Sequence, residues 1–260
     1  MKEILASRHG SALDGLGRGR ALAIFDYDGT LAPLVADPAK ARMRPATRRR
    51  LSTLAGLLQV AILSGRSLAD LSPLVDGLGS VVCVGNHGLE RPLRPGHWPA
   101  TQRLLERRVS RWMVRLAGLQ AIGARLEGKG LSLSIHLKGM DRRARELARR
   151  QAKALPGGRV VSGKETLNVL PAGQGGKAEA VRWLARTLAA ETVLFVGDDL
   201  TDEEVFEARH PRPLIGVHVG PGASRAEYWL REQADIDELL GRLIDLRRDD
   251  RRALRKCGGA

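Results

Sequence analysis

Five short apolar runs constrain this chain most: residues 22–25, 60–63, 81–84, 193–196 and 213–217. Each is dominated by Val, Ile, Leu and Ala and leaves no side for water, so each reads as a strand buried on both faces. Between and after them the spacing predicts helices over 46–57, 67–75, 176–189, 202–208 and 236–246. The alternation implies an α/β chain with a mostly parallel, doubly wound sheet. In such sheets a site forms beyond the carboxyl ends of the strands.

Residues 93–171 follow a different rhythm. Helices over 101–116 and 141–155 each precede a pair of strands, 122–126 with 131–137 and 159–161 with 166–170. The order α-β-β-α-β-β predicts a small antiparallel sheet with both helices on one face. Alternation in Leu131-Ser132-Leu133-Ser134-Ile135-His136-Leu137 sends the apolar side chains toward the helices and leaves Ser132, Ser134 and His136 on an open polar face. The expected organisation is therefore an α/β core, residues 1–92 and 172–260, with an inserted α+β cap over 93–171.

Charge separates the same two regions. The chain carries a formal net charge of +14, yet residues 91–160 hold 17 Lys+Arg against 4 Asp+Glu. The remainder is nearly balanced, with 26 basic and 25 acidic residues. Arg103, Arg107, Arg111 and Arg115 recur every four residues, and Arg142, Arg145 and Arg149 every three or four. Such spacing predicts solvated stripes on the cap helices, opposite the sheet, with a salt-sensitive attraction for anionic substrates as a second reading. No apolar run is long enough to span a bilayer, the N-terminus lacks the apolar core of a secretory signal, and the two cysteines suggest no disulfide framework. A cytoplasmic monomer with no membrane partner is expected. The tail over 247–256 is charge-rich and expected to be solvated or frayed.

Chemistry gathers at the strand ends. The first run leads into Asp26-Tyr27-Asp28-Gly29-Thr30, and carboxylates two residues apart share a side of an extended backbone. Two acids held together call for a cation or a shared proton, and Mg²⁺ suits an all-oxygen site. The second run ends in Ser64-Gly65-Arg66, and the fourth in Gly197-Asp198-Asp199-Leu200-Thr201-Asp202. Lys177 opens a helix after a glycine-rich turn that is not a P-loop, because Ala178 stands where Ser or Thr should hold magnesium.

This set resembles the haloacid dehalogenase-like phosphatases, whose four motifs match Asp26-x-Asp28-Gly29-Thr30, Ser64, Lys177 and Gly197-Asp198-Asp199-x-x-Asp202. The insert resembles their C2-type cap. Within that superfamily the chain is most similar to the trehalose-6-phosphate phosphatases, through Gly85-Asn86-His87-Gly88-Leu89-Glu90 and Glu127-Gly128-Lys129-Gly130. The resemblance implies a Mg²⁺-dependent phosphoric monoester hydrolase that works through an aspartyl-phosphate, in trehalose biosynthesis. It makes Asp26 the nucleophile and Asp28 the general acid and base, with Ser64 and Lys177 on the phosphoryl oxygens. Asp26, Asp28 (through its carbonyl) and Asp198 would hold the metal, and Asp199 and Asp202 its waters or Lys177.

Sugar contacts are expected from Arg66, Asn86, His87 and Glu90 on the core side. Glu127, Lys129, His136 and Asn168 would supply them from the cap. One departure stands out: where the family often has Glu-x-Arg-Pro, this chain has Asn168-Val169-Leu170-Pro171. Other C2-capped phosphatases, for sucrose phosphate, glycosyl-phosphoglycerates or hexose phosphates, are the rival enzymes. Nucleic-acid binding through the basic cap is the rival outside enzymology, disfavoured by the scarcity of aromatic residues.

Overall fold

Nineteen regular elements follow one another in the computed structural model, which describes residues 1–6, 11–35, 37–92, 98–163 and 165–257. They are β1 (Lys2–Glu3), α1 (Asp14–Gly17), β2 (Ala21–Phe25), α2 (Pro45–Ala55), β3 (Gln59–Leu63), α3 (Leu68–Val75) and β4 (Val81–Val84). Next come α4 (Trp98–Leu116), β5 (Arg125–Gly128), β6 (Leu133–His136), α5 (Arg142–Lys153), β7 (Gly158–Ser162) and β8 (Thr166–Pro171). The chain ends with α6 (Lys177–Thr187), β9 (Thr192–Gly197), α7 (Glu203–Glu207), β10 (Leu214–Val219), β11 (Tyr228–Leu230) and α8 (Ile236–Cys257).

The larger sheet is parallel throughout, in the order β1-β11-β10-β9-β2-β3-β4. Strand β2 shows why apolar runs without alternation belong here. Ala21, Ala23 and Phe25 pack on one side with Leu16, Leu51 and Leu240, while Leu22 and Ile24 pack on the other with Val181, Leu184 and Val205. All five β2 residues are buried, and each large one contributes about 1.5–3 kcal/mol by leaving water. From β2 the chain first builds outward through β3 and β4, then returns to build the other way through β9 and β10. The order reverses between β2 and β9, the place where such sheets open a crevice.

The second sheet is antiparallel, β5-β6-β8-β7. Helices α4 and α5 both lie on one face, where Val109, Trp112, Ala148 and Ala152 meet Leu133, Ile135, Leu167 and Val169. Asp141 caps α5 by accepting from Ala144 N–H at 2.8 Å. Trp112 is a packing residue, its indole N–H donating to the Pro156 carbonyl at 3.2 Å. Trp98 opens α4, but its side chain lies outside the described residues.

Several expectations need correcting. The larger sheet has two more strands, β1 and β11, each of which exists only by pairing with a neighbour. The strand expected at 122–126 starts later, because Gly123 takes a left-handed φ of 95° and closes a 3₁₀ turn over Ala117–Ile122. The tail is helical through Cys257, held by Arg247 and Arg251, which donate to the carbonyls of Gly17, Gly19, Gly56 and Leu57. The side chains of residues 254–257 are outside the described ones. The polar face of the cap sheet is not open: Ser132 is buried against Asn86 of the core, and Ser134 is buried against Asn168. Among the described residues no helix is long and apolar enough to cross a membrane.

Candidate active site

Adjacent strands β9, β2, β3 and β4 bring their carboxyl ends side by side, so residues far apart in sequence converge. Asp26 follows β2, Ser64 follows β3, Asp198 follows β9, and the loop of Asn86, His87 and Glu90 follows β4. Lys177, 2% exposed at the start of α6, points into this group. Its ammonium donates to Asp26 Oδ1 at 2.7 Å and to Asp202 Oδ1 at 2.6 Å. Burial works against its charge, but Asp202 and Asp26 outweigh burial and hold Lys177 above its ordinary range.

The acids outnumber that one cation. Asp26, Asp198 and Asp202 are all buried, with ligand atoms within 4.8 Å of one another. Burial lifts the Asp26 carboxyl well above its usual range; Lys177 opposes this, and Asp202 and Asp198 add to it. Three carboxylates facing one ammonium fit a divalent cation with oxygen ligands. Gly29 leaves the room: at φ 83°, a Cβ there would run into the Asp198 carboxylate. The acidic set thus adds Asp202 to Asp26 and Asp198, whereas Asp28 was expected to contribute its backbone carbonyl and not its carboxylate.

Asp28 turns elsewhere. Arg66 grips it bidentately, Nε to Oδ2 at 2.7 Å and Nη2 to Oδ1 at 2.6 Å. Ser64 is 1% exposed, and its Oγ accepts from Arg66 N–H at 3.1 Å. Asp199 N–H donates to Asp202 Oδ2 at 3.0 Å, and the Asp199 carboxylate faces the cap near Gly163.

The core loop after β4 carries the cap. Asn86 and His87 are both left-handed, at φ 49° and 54°, a costly geometry that marks functional loops. Asn86 Nδ2 donates to Glu90 Oε1 at 2.7 Å and to the Lys129 carbonyl at 2.8 Å, while Ser132 Oγ donates to Asn86 Oδ1 at 2.5 Å. Glu90 Oε2 also accepts from Leu68 N–H. Asn86 and Glu90, expected to meet a sugar, are engaged in holding loop and cap together.

His87 packs against Gly65, where a Cβ would clash with the ring. Neither ring nitrogen has a partner of ordinary hydrogen-bond geometry, and the Asn168 side chain is close enough to oppose the loss of its proton. Burial, then Lys129 and Lys177, push its pKa well below the ordinary value, so the imidazole is neutral.

On the cap, Ser134 Oγ donates to Asn168 Oδ1 at 2.8 Å, which leaves the Asn168 amide N–H groups directed elsewhere. Glu127 Oε2 lies 2.6 Å from His136 Nε2, and that contact holds the Glu127 carboxyl down at about 2. Lys129 reaches across to the Gly65 carbonyl at 3.2 Å, and burial lowers its pKa. Sequence reasoning missed Arg159, which pairs with Glu204 of α7 across the seam. Register gives the signal: Arg159 is opposite Leu170 and Val161 opposite Asn168, so Arg159 shares the site-facing side of β7.

A buried aspartate at the end of β2, a lysine from α6 and an acidic loop after β9, all under an antiparallel cap, define a haloacid dehalogenase-like fold with a C2-type cap. Solved structures share it: the C-terminal domain of trehalose-6-phosphate phosphatase from C. albicans superposes with a TM-score of 0.70 at 23% identity, covering 94% of this chain and 98% of that one. Trehalose-6-phosphate phosphatase from Aspergillus fumigatus does so at 0.63 and 26%, covering 94% and 99%.

The chain belongs to the trehalose-phosphatase family, whose model matches residues 24–229. Trehalose-phosphate phosphatase of Mycobacterium marinum is 33% identical over 249 residues, covering 88% of this chain and 63% of that protein. Probable trehalose-phosphate phosphatase 4 of Oryza sativa is 29% identical, covering 89% and 68%. The chain thus spans less than two thirds of the Mycobacterium relative's length.

Proposed function

We propose that this chain hydrolyses trehalose 6-phosphate to trehalose and phosphate with Mg²⁺. The observation that carries the reading is Lys177 buried between Asp26 and Asp202, with the hydrogen-bonded pair Ser134 and Asn168 buried on the cap sheet. Asp26 is the nucleophile, and its attack on phosphorus gives an aspartyl-phosphate. Lys177 and Ser64 bind phosphoryl oxygens and offset charge that grows as the bond to the sugar breaks. Asp28 protonates the departing sugar oxygen and later takes a proton from the incoming water. Arg66 takes one hydrogen bond on each Asp28 oxygen and so fixes the carboxyl, leaving a second lone pair on each oxygen for the proton it passes. When bound by Asp26, Asp198 and the Asp28 carbonyl, a divalent cation supplies Lewis-acid charge and keeps Asp26 ionised. Asp199 and Asp202 brace this arrangement.

The sugar is read by the cap. Asn168 offers amide N–H groups to hydroxyls, Lys129, Glu127 and His136 flank it, and neutral His87 supplies one donor and one acceptor from the core side. Phosphate release from trehalose 6-phosphate should depend on Mg²⁺, stop with EDTA, and exceed that from sucrose phosphate, a glycosyl-phosphoglycerate and a hexose phosphate in kcat/KM. Asp26→Asn should lower turnover by at least about a thousandfold with the fold retained. A different sugar at the head of the panel would overturn the substrate, and an active Asp26→Asn the mechanism.

A further inference from the structure

The outward face of the cap is unused by this site. Helices α4 and α5 carry Glu106 and Glu146 as their only acids. Arg103, Arg107, Arg111 and Arg115 of α4 are exposed, and among the described residues none has an ion-pair partner. The same holds on α5 for Arg142, Arg143, Arg149, Arg150 and Lys153, whereas Arg145 reaches Glu165 at 2.9 Å. Arginines four apart on a helix repel, so the cap bears a cost that solvation alone does not explain.

Service to the site does not explain it either. Both helices pack on the sheet face opposite Ser132, Ser134 and Asn168. The outer guanidinium groups lie about a helix diameter, roughly 10 Å, beyond the sheet. That exceeds the screening length of about 8 Å at physiological salt.

Two aliphatic residues narrow the class of partner. Leu104 is 64% exposed and Val114 78%, the highest value among the large hydrophobic residues described. With a period of 3.6, Leu104, Arg107, Arg111 and Val114 fall on one outward strip of α4. A phosphodiester backbone would engage the arginines but give the aliphatic tips nothing to enter. Base stacking would need aromatic rings, and Trp112 is turned inward. An anionic headgroup layer uses both: phosphates pair with arginines while Leu104 and Val114 enter the acyl boundary.

We propose that the α4–α5 face docks peripherally on an anionic lipid surface. The lack of a spanning segment, which underlay the expectation of no membrane partner, does not bear on such docking. Sedimentation of the full chain with vesicles of phosphatidylglycerol and phosphatidylcholine, against phosphatidylcholine alone, tests it. Binding should require the anionic lipid and fall steeply with salt. R107E/R111E should lower the partition by about tenfold or more, and L104S/V114S by a smaller but clear factor. Phosphate release and melting temperature should stay at wild-type values in both variants. No sedimentation at low salt, or variants that partition like the wild type, would overturn the proposal. So would tighter binding to a DNA duplex that ignores L104S/V114S.

Discussion

On the core side of the seam, Lys177 is buried among the core side chains and stands between Asp26 and Asp202. On the cap side, Ser134 and Asn168 are equally buried but neutral, while Lys129, Glu127 and His136 beside them keep part of their surface in water. Buried charges survive only when compensated and fixed in geometry; Lys177 offsets part of the three acids, and with a divalent cation added the core side suits one anionic group at one position. Neutral amides and hydroxyls both donate and accept, which suits a polyol. A sugar phosphate has one end of each kind.

The contrast can be broken by variants. Lys177→Met leaves three buried carboxylates facing one another, and should cost about 3–5 kcal/mol in urea unfolding without divalent metal. Added Mg²⁺ should return part of that, whereas an unchanged midpoint would mean the acids are not charged together. On the cap, Ser134→Ala leaves the Asn168 carbonyl without its donor and should cost about 1–3 kcal/mol. Asn168→Ala should lower kcat/KM for a sugar phosphate by about tenfold while sparing an aryl phosphate, which on the proposed reading has no sugar to meet the cap. Equal losses on both substrates would erase the division of labour.

Acid sharpens the comparison further. His87 is held neutral in the fold but takes up a proton near 6.5 when unfolded. The unfolded state therefore binds more protons, and stability should fall as pH drops below 6.5, by at most about 1.4 kcal/mol per unit. His87→Gln should flatten that slope in melts followed across pH. Glu127 has the opposite chemistry and the same sign. Its carboxyl is held near 2 against an ordinary 4.5, so its contribution is present above 4.5 and is lost as pH falls through about 2. With the side chain 36% exposed, Glu127→Gln should change stability by less than about 1 kcal/mol.

Strands β2, β3, β4 and β9 were legible because burial on both faces leaves a continuous apolar run. Asp26, Ser64, Lys177 and Asp198 were legible because parallel sheets place their chemistry at strand ends. Strands β1 and β11 were not, being two and three residues long with Lys2, Glu3 and Tyr228 among them. Partnerships were the other gap. Arg66 with Asp28, Asn86 with Lys129, and Arg159 with Glu204 join residues 38, 43 and 45 positions apart. Local pattern names a cation or an amide but not the group it will meet. In the tail, Arg247 and Arg251 reach distant carbonyls that local pattern could not name, while Arg248, Asp249 and Arg252 are exposed as expected.

Asn86 sets how the cap can move. One buried amide holds Glu90, the Lys129 carbonyl and Ser132 at once. Lifting the cap away would strip the Lys129 and Ser132 bonds from it and leave only Glu90. The seam is therefore latched at a single side chain, and a change to that amide reaches core and cap at once.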